Sequence, residues 1–293
     1  MSLRDVHSTA FPAIAILIGA SLWGVIWYPM RLLEAQGLSG IWLTLVMYAA
    51  ALAASLPRTW TAVRDLARSP VHMLLLMAAA GWTNIAFVEA VLAGNILRVL
   101  LLFYLSPLWA VLMGWLVLGE RPSRASLTSL FLAMLGALTM LWDERAGLPW
   151  PSSAADWYAL TSGFAFAVSM VITRKAQEIS VEAKVFAVWS GVVVLAAAII
   201  AAAGVAVPPA DGGAWLGAAA LGALGILAMT ALVQYGVTHL PVHRSAVLAL
   251  IELVAGAVSQ QLLTEEVVTA REWIGGALIV IGAWLAARRN SDT

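Results

Sequence analysis

The sequence predicts an all-α membrane protein: ten transmembrane helices built from two five-helix repeats of inverted topology. Three observations carry this. The chain is 62% hydrophobic and only 11% charged, whereas a soluble domain is about one quarter charged, so lipid is the solvent for most of it. Its apolar residues fall in continuous runs of about 20, not in alternation, which selects helices over a barrel. Finally, the stretch at 116–138 is repeated at 261–283.

The spans follow in order. Phe11–Leu33 is too long for the core of a cleavable signal and has no A-x-A-like exit. The link "EAQGLSG" leads to Leu38–Leu56, and Val71–Leu92 carries Asn84 near its middle and Glu89 near its end. Asn95–Leu118 is free of charge after Arg98, and "LGERPS" at 118–123 interrupts it before Ala125–Trp142. The polar, proline-rich "DERAGLPWPSS" divides the halves, predicted as 1–148 and 149–293. Ala155–Thr173 and Lys184–Val207 come next, then Trp215–Tyr235 after "VPPADGG". Val242–Leu263 holds Glu252, and Trp273–Ala287 closes the set of ten.

Orientation rests on Lys and Arg. With the N-terminus inside, twelve of the sixteen fall at inside ends; only Arg31, Arg98, Arg145 and Arg271 fall outside. Positive residues stay cytoplasmic, so both termini are expected there, as an even number of spans requires.

"LVLGERPSRASLTSLFLAMLGAL" aligns without gaps on "QLLTEEVVTAREWIGGALIVIGA", placing Glu120 on Glu265 at an offset of 145. The first span of each half also corresponds: "WGVIWYPMR" at 23–31 matches "FAVSMVITR" at 166–174, pairing Arg31 with Arg174. Five spans per half invert the second copy, so Glu120 is expected inside and Glu265 outside. Inverted repeats are a common build for secondary transporters, with the substrate near midplane between the halves.

These segments, with "SLWGVIWYPMR" and "SPLWAVLMGWLVLGE", resemble the EamA repeat of the drug/metabolite transporter superfamily over nearly the whole chain. Length and layout are similar to its YddG-type exporters, which implies export of aromatic and other amino acids across a bacterial inner membrane by alternating access. The chain departs from the pattern at Thr264, which replaces the Gly of "LGE", and at Glu252, which stands where the first half has Pro107.

Polar groups at membrane depth are costly unless they face protein or a wet cavity. Ser245, Glu252 and Ser259 are spaced by seven and share one face of a continuous helix. Glu252 there is either a cavity carboxylate that meets an ammonium group or carries a proton, or a hydrogen-bonded packing group. Glu89 and Arg98, near the outer ends of adjacent spans, read as an ion pair, or Arg98 as an outer gate that grips a carboxylate. Asn84 suits a substrate hydrogen bond or an interhelical one. Trp23, Trp27, Trp82, Tyr104 and Phe166 lie deeper than an interfacial belt needs. Trp23, Trp27 and Phe166, the repeat partner of Trp23, with Ser169 one turn on, make either facing walls for a substrate or plain packing. Trp60 and Trp273 need only the belt. Pro29 and Pro107 remove backbone hydrogen bonds inside spans and serve as kinks or gating joints.

Other classes are excluded on chemistry. The only lysines, Lys175 and Lys184, lie outside any phosphate-binding loop, and neither H-E-x-x-H nor G-x-S-x-G occurs, so no enzyme is expected. With no cysteine, and with His239 and His243 spaced around Pro241, no metal or other cofactor is expected. Zero net charge argues against nucleic acid. The partners implied are amino-acid substrates and the bilayer, and a monomeric unit is compatible with the pattern. An exporter of lipophilic cations is the rival reading, since Glu252 amid aromatics suits a cation.

Overall fold

A computed structural model describes residues 3–38, 40–59, 63–94, 96–142, 150–265 and 267–288. Asn95, Trp60, Arg145, Glu266 and Arg289 lie outside the described residues. Among the described residues, ten helices long and apolar enough to cross a membrane follow one another: span 1, Ala10–Ala35; span 2, Gly40–Pro57; span 3, Pro70–Val91; span 4, Arg98–Leu118; and span 5, Arg124–Leu141. The second half supplies span 6, Ala154–Lys175; span 7, Val181–Ala203; span 8, Gly212–His239; span 9, Val242–Leu263; and span 10, Ala270–Arg288. The protein is an all-α, multi-pass membrane protein.

Several spans begin before the apolar windows because side-chain caps extend them. Asp211 Oδ1 accepts from the Ala214 amide at 2.7 Å, starting span 8 a turn early. Ser153 and Asp156 form a capping box at the head of span 6. Such caps satisfy amides that a helix leaves free at its start.

The two halves interlock around a pseudo-twofold axis. Span 1 packs on spans 8 and 9, and span 6 on spans 3 and 4; span 2 meets span 7, and span 5 meets span 10. Exchanging the halves maps each of these contacts onto another or onto itself. Glycines permit the closest crossings: a Cβ on Gly191 would lie 2.1 Å from the Met77 carbonyl, and one on Gly222 2.1 Å from that of Met47. These are equivalent contacts, between spans 7 and 3 and between spans 8 and 2. Without a hydrophobic drive between helices in lipid, such backbone proximity is what holds spans together.

Three spans are interrupted. Span 1 breaks between Leu3–Val25 and Trp27–Ala35, and span 4 between Ile96–Phe103 and Ser106–Leu118. Pro29 and Pro107 explain both, since each lacks an amide for the carbonyl four residues back, Val25 and Phe103. Span 9 also breaks, between Val242–Ala249 and Ile251–Leu263, with no proline inside it. The hinge residue, Leu250, is the counterpart of Leu105 at the 145-residue offset. Their backbones agree: φ −71°, ψ −10° at Leu105 and φ −62°, ψ −12° at Leu250. The substitution of Glu252 for Pro107 therefore leaves the twofold relation of spans 4 and 9 intact. Span 8 carries a six-residue π-helical stretch, Leu221–Ile226.

Candidate functional site

The breaks of spans 4 and 9 lie beside each other and bring Tyr104 onto Glu252. Both side chains line one recess. Around them Phe103, Ser106, Pro107, Phe166, Met170 and Leu250 enclose a cavity of about 10 Å³, room for roughly one water by that measure. Its walls come from spans 4, 6 and 9. Pro107 sets the local geometry: Leu105 bonds back only to Leu102 at 3.4 Å, and the Phe103 carbonyl, deprived of its helical donor, lies against Gly163 of span 6. Phe103 also stacks with Phe166, centroids 5.8 Å apart, and with Tyr104 at 5.2 Å. The recess thus combines one carboxyl, one phenol and an aromatic wall, with no basic side chain in its lining.

Of the residues singled out in the sequence, Tyr104, Pro107, Phe166 and Glu252 meet here. Trp27 sits two turns along span 9, its indole N–H donating to Ser259 Oγ at 2.9 Å. Trp23 does not face Phe166. It packs against the apolar cluster of Leu43, Met47 and Trp189, whereas Phe166 belongs with Tyr104 and Met170. The expected single face of Ser245, Glu252 and Ser259 is interrupted by the break at Leu250, which a spacing of seven ignores. Asn84 is occupied on both sides, accepting from Tyr48 Oη at 2.6 Å and donating to the Ala80 carbonyl at 2.9 Å. Ser169 donates to its own helix at Phe166, 2.8 Å. Trp82 is 37% exposed and donates to Thr161 Oγ1 at 3.2 Å on the outer surface of span 6.

Arg98 pairs with Asp156 at 3.0 Å, not with Glu89. It also donates to Ser152 Oγ and the Trp150 carbonyl, and Asp156 accepts in turn from the Ser152 and Ser153 amides. The arginine fastens the start of span 4 to the start of span 6, because Asp156 is already fixed there as part of the helix cap. Pairing across the two repeats was invisible to an argument from adjacent spans.

A second polar cluster sealed by charge lies at the face carrying Glu120, where span 1 begins and span 10 ends; we call it the near face. Arg174 Nε donates to Glu120 Oε1 at 2.9 Å and Arg174 Nη1 to the Thr238 carbonyl at 2.9 Å. Glu120 Oε2 accepts from the Val242 amide at 2.7 Å, capping span 9 from another span. Gln177 Nε2 also reaches the Thr238 carbonyl at 2.8 Å, and buried Lys184 donates to Thr238 Oγ1 at 3.2 Å. Spans 4, 6, 7, 8 and 9 are thereby joined at the near face. Packing between spans 4 and 9 is concentrated in the same halves, Ser106–Leu118 against Val242–Ala249. The far halves belong elsewhere: Ile251–Leu263 packs on spans 1 and 10, and Ile96–Phe103 on span 6. Sequence reasoning noted Glu120 and Arg174 as repeat positions but did not pair them; their recurrence was the available signal.

Comparison with known proteins gives the family. The chain matches the EamA-like transporter family twice, over residues 10–142 and 153–288, and belongs to it. It is similar to an uncharacterised transporter of Archaeoglobus fulgidus, 25% identical over 77% of this chain and 80% of that protein. A shorter stretch, 30% of this chain and 31% of the other, is 30% identical to protein RarD of Escherichia coli. A stretch covering 34% of each chain is 34% identical to an uncharacterised transporter of Pseudomonas aeruginosa. One solved crystal structure shares the fold at a TM-score of 0.74 and 20% identity, over 96% of this chain and 98% of that one.

Proposed function

We propose that this member of the EamA-like transporter family is a secondary transporter or facilitator that exports amino acids, aromatic ones among them, and related small metabolites by alternating access. It does so across the bacterial inner membrane, with the near face cytoplasmic, a placement supported by the excess of Lys and Arg there. The observation that carries the reading is the Glu252–Tyr104 pair in an aromatic recess where two broken helices meet. Broken spans at midplane are where transporters of inverted-repeat build present their binding groups. An ammonium group finds a carboxylate there, and an aromatic side chain finds Phe103 and Phe166. The recess in this state holds about one water, so substrate enters as the halves of spans 4 and 9 part.

One observation favours the rival, export of lipophilic cations. The lining has no basic group for a substrate carboxylate, and Arg98 is engaged with Asp156. Proteoliposome uptake separates the two. Labelled phenylalanine, tryptophan and leucine are offered against tetraphenylphosphonium, each with and without a pH gradient. Amino-acid uptake above that of empty liposomes supports the first reading; uptake of the cation alone replaces it with the second.

A further inference from the structure

We propose that Arg31 and Glu265 form a far-face latch, open in this structure, that closes when the near-face latch of Arg174 and Glu120 releases. The inference rests on the alternating-access reading above. Repeat symmetry supplies the pairing: Arg31 corresponds to Arg174, and Glu265 to Glu120. The near pair is made, at 2.9 Å and with side chains 27% and 17% exposed. Its counterparts are both exposed, and neither enters an ion pair among the described residues.

The register of spans 1 and 9 brings the far pair within reach. Trp27 is tied to Ser259; Arg31 is one helical turn further along span 1, and Glu265 just past the end of span 9. The docking partners follow from the same repeat. Glu120 accepts from the Val242 amide and Arg174 donates to the Thr238 carbonyl. The equivalents are the Ile96 amide, the first of the first helix of span 4, and the Leu92 carbonyl, one residue before the end of the span 3 helix. The match rests on the helix ends: the helices of spans 3 and 8 end at Ala93 and His239, each followed by an extended residue, Gly94 and Leu240, and the next helices begin at Ile96 and Val242. One latch grips the end of span 8 and the start of span 9; the other is built to grip the end of span 3 and the start of span 4. An arginine and a glutamate recurring at both faces, satisfied at one and solvated at the other, are what a two-state gate requires.

The test reads conformation directly and needs no substrate. In this Cys-free chain, spin labels at Glu178 and His239 report the near face, and labels at Ala154 and Val267 the far face; all four residues are exposed. Distances are measured by pulsed electron resonance in nanodiscs. Glu120→Gln is expected to raise, on the order of tenfold, the population with a long near-face and a short far-face distance. Adding Arg31→Gln or Glu265→Gln should send that population back, while Arg31→Glu together with Glu265→Arg should retain it. If the added substitutions leave the Glu120→Gln distribution unchanged, the far latch is wrong although alternation stands. If Glu120→Gln shifts neither distance, the latch falls and the alternating-access reading loses its support from the near pair.

Discussion

Gly24→Ala adds one methyl group at the crossing of spans 1 and 9, where three rigid atoms already crowd the space. The new Cβ would lie 2.3 Å from the Glu252 carbonyl oxygen, 2.8 Å from the Gly256 nitrogen and 2.9 Å from the Ala255 Cβ. None of these can rotate away, so the spans must separate by about 1 Å to restore ordinary contact. Overpacking of this kind costs about 1–3 kcal/mol, against a gain in helix propensity of at most about 1 kcal/mol. Gly256→Ala is the matched control: it faces the same crossing, yet its Cβ would meet only the Gly24 carbonyl, at 3.5 Å. Thermal unfolding in detergent should therefore fall for Gly24→Ala, by on the order of 2–4 °C per kcal/mol lost, and stay level or rise for Gly256→Ala. Transport should fall with it, because the same separation stretches the 2.9 Å bond from Trp27 to Ser259 and displaces the Glu252 backbone. Equal melting temperatures for the two variants would refute the argument from rigid contacts.

Glu252→Gln keeps the size and hydrogen bonding of the side chain but cannot ionise. It is expected to abolish any pH dependence of transport across mildly acidic to mildly basic conditions and to weaken cationic substrates first; transport unchanged for every substrate and pH would leave the carboxyl a packing group. Thr264→Cys in this Cys-free chain should label from outside intact cells with an impermeant thiol reagent, and labelling only after membrane rupture would invert the topology. Trp27→Phe, which loses the indole donor to Ser259, should reduce transport by more than Trp273→Phe, whose side chain is 53% exposed; transport assays on matched protein amounts decide it.

Much of the architecture was legible because membrane thickness leaves few choices. An apolar run must be long enough to cross, so ten windows became ten spans, and Pro29 and Pro107 announced their breaks through the missing amide. The break at Leu250 was hidden, since no residue there forbids a straight helix, and Glu252 opposite Pro107 read as a departure from the repeat. Side-chain partners were the least legible. Arg98 was assigned to Glu89 because their spans are sequential, but interlocked repeats put span 6 against spans 3 and 4, and that placed Asp156 in reach. Likewise Trp23 and Phe166 are equivalent in sequence yet line different clusters, because equivalence under a twofold axis does not imply contact across it.

Spans 4 and 9 share a backbone but not a chemistry, and that division is open to a direct test. In span 4 the break is set by a proline, which leaves no functional group at its position. In span 9 the same geometry is held without a proline, with Gly24 of span 1 pressed on the Glu252 carbonyl just past the hinge. Position 252 thus carries a carboxyl while the hinge is kept. Glu252→Pro should then restore the first-half residue at a site already shaped for it. Its cost should stay well below the roughly 3 kcal/mol of a proline in a straight helix, a cost that Ala257→Pro, inside the continuous helix Ile251–Leu263, should pay in full. Transport should nonetheless be lost in Glu252→Pro, because Tyr104 would face no acid. A melting temperature as low as that of Ala257→Pro would mean that the hinge at Leu250 is not the counterpart of that at Leu105. Retained transport would mean that the carboxyl, however well placed, is not what the substrate meets.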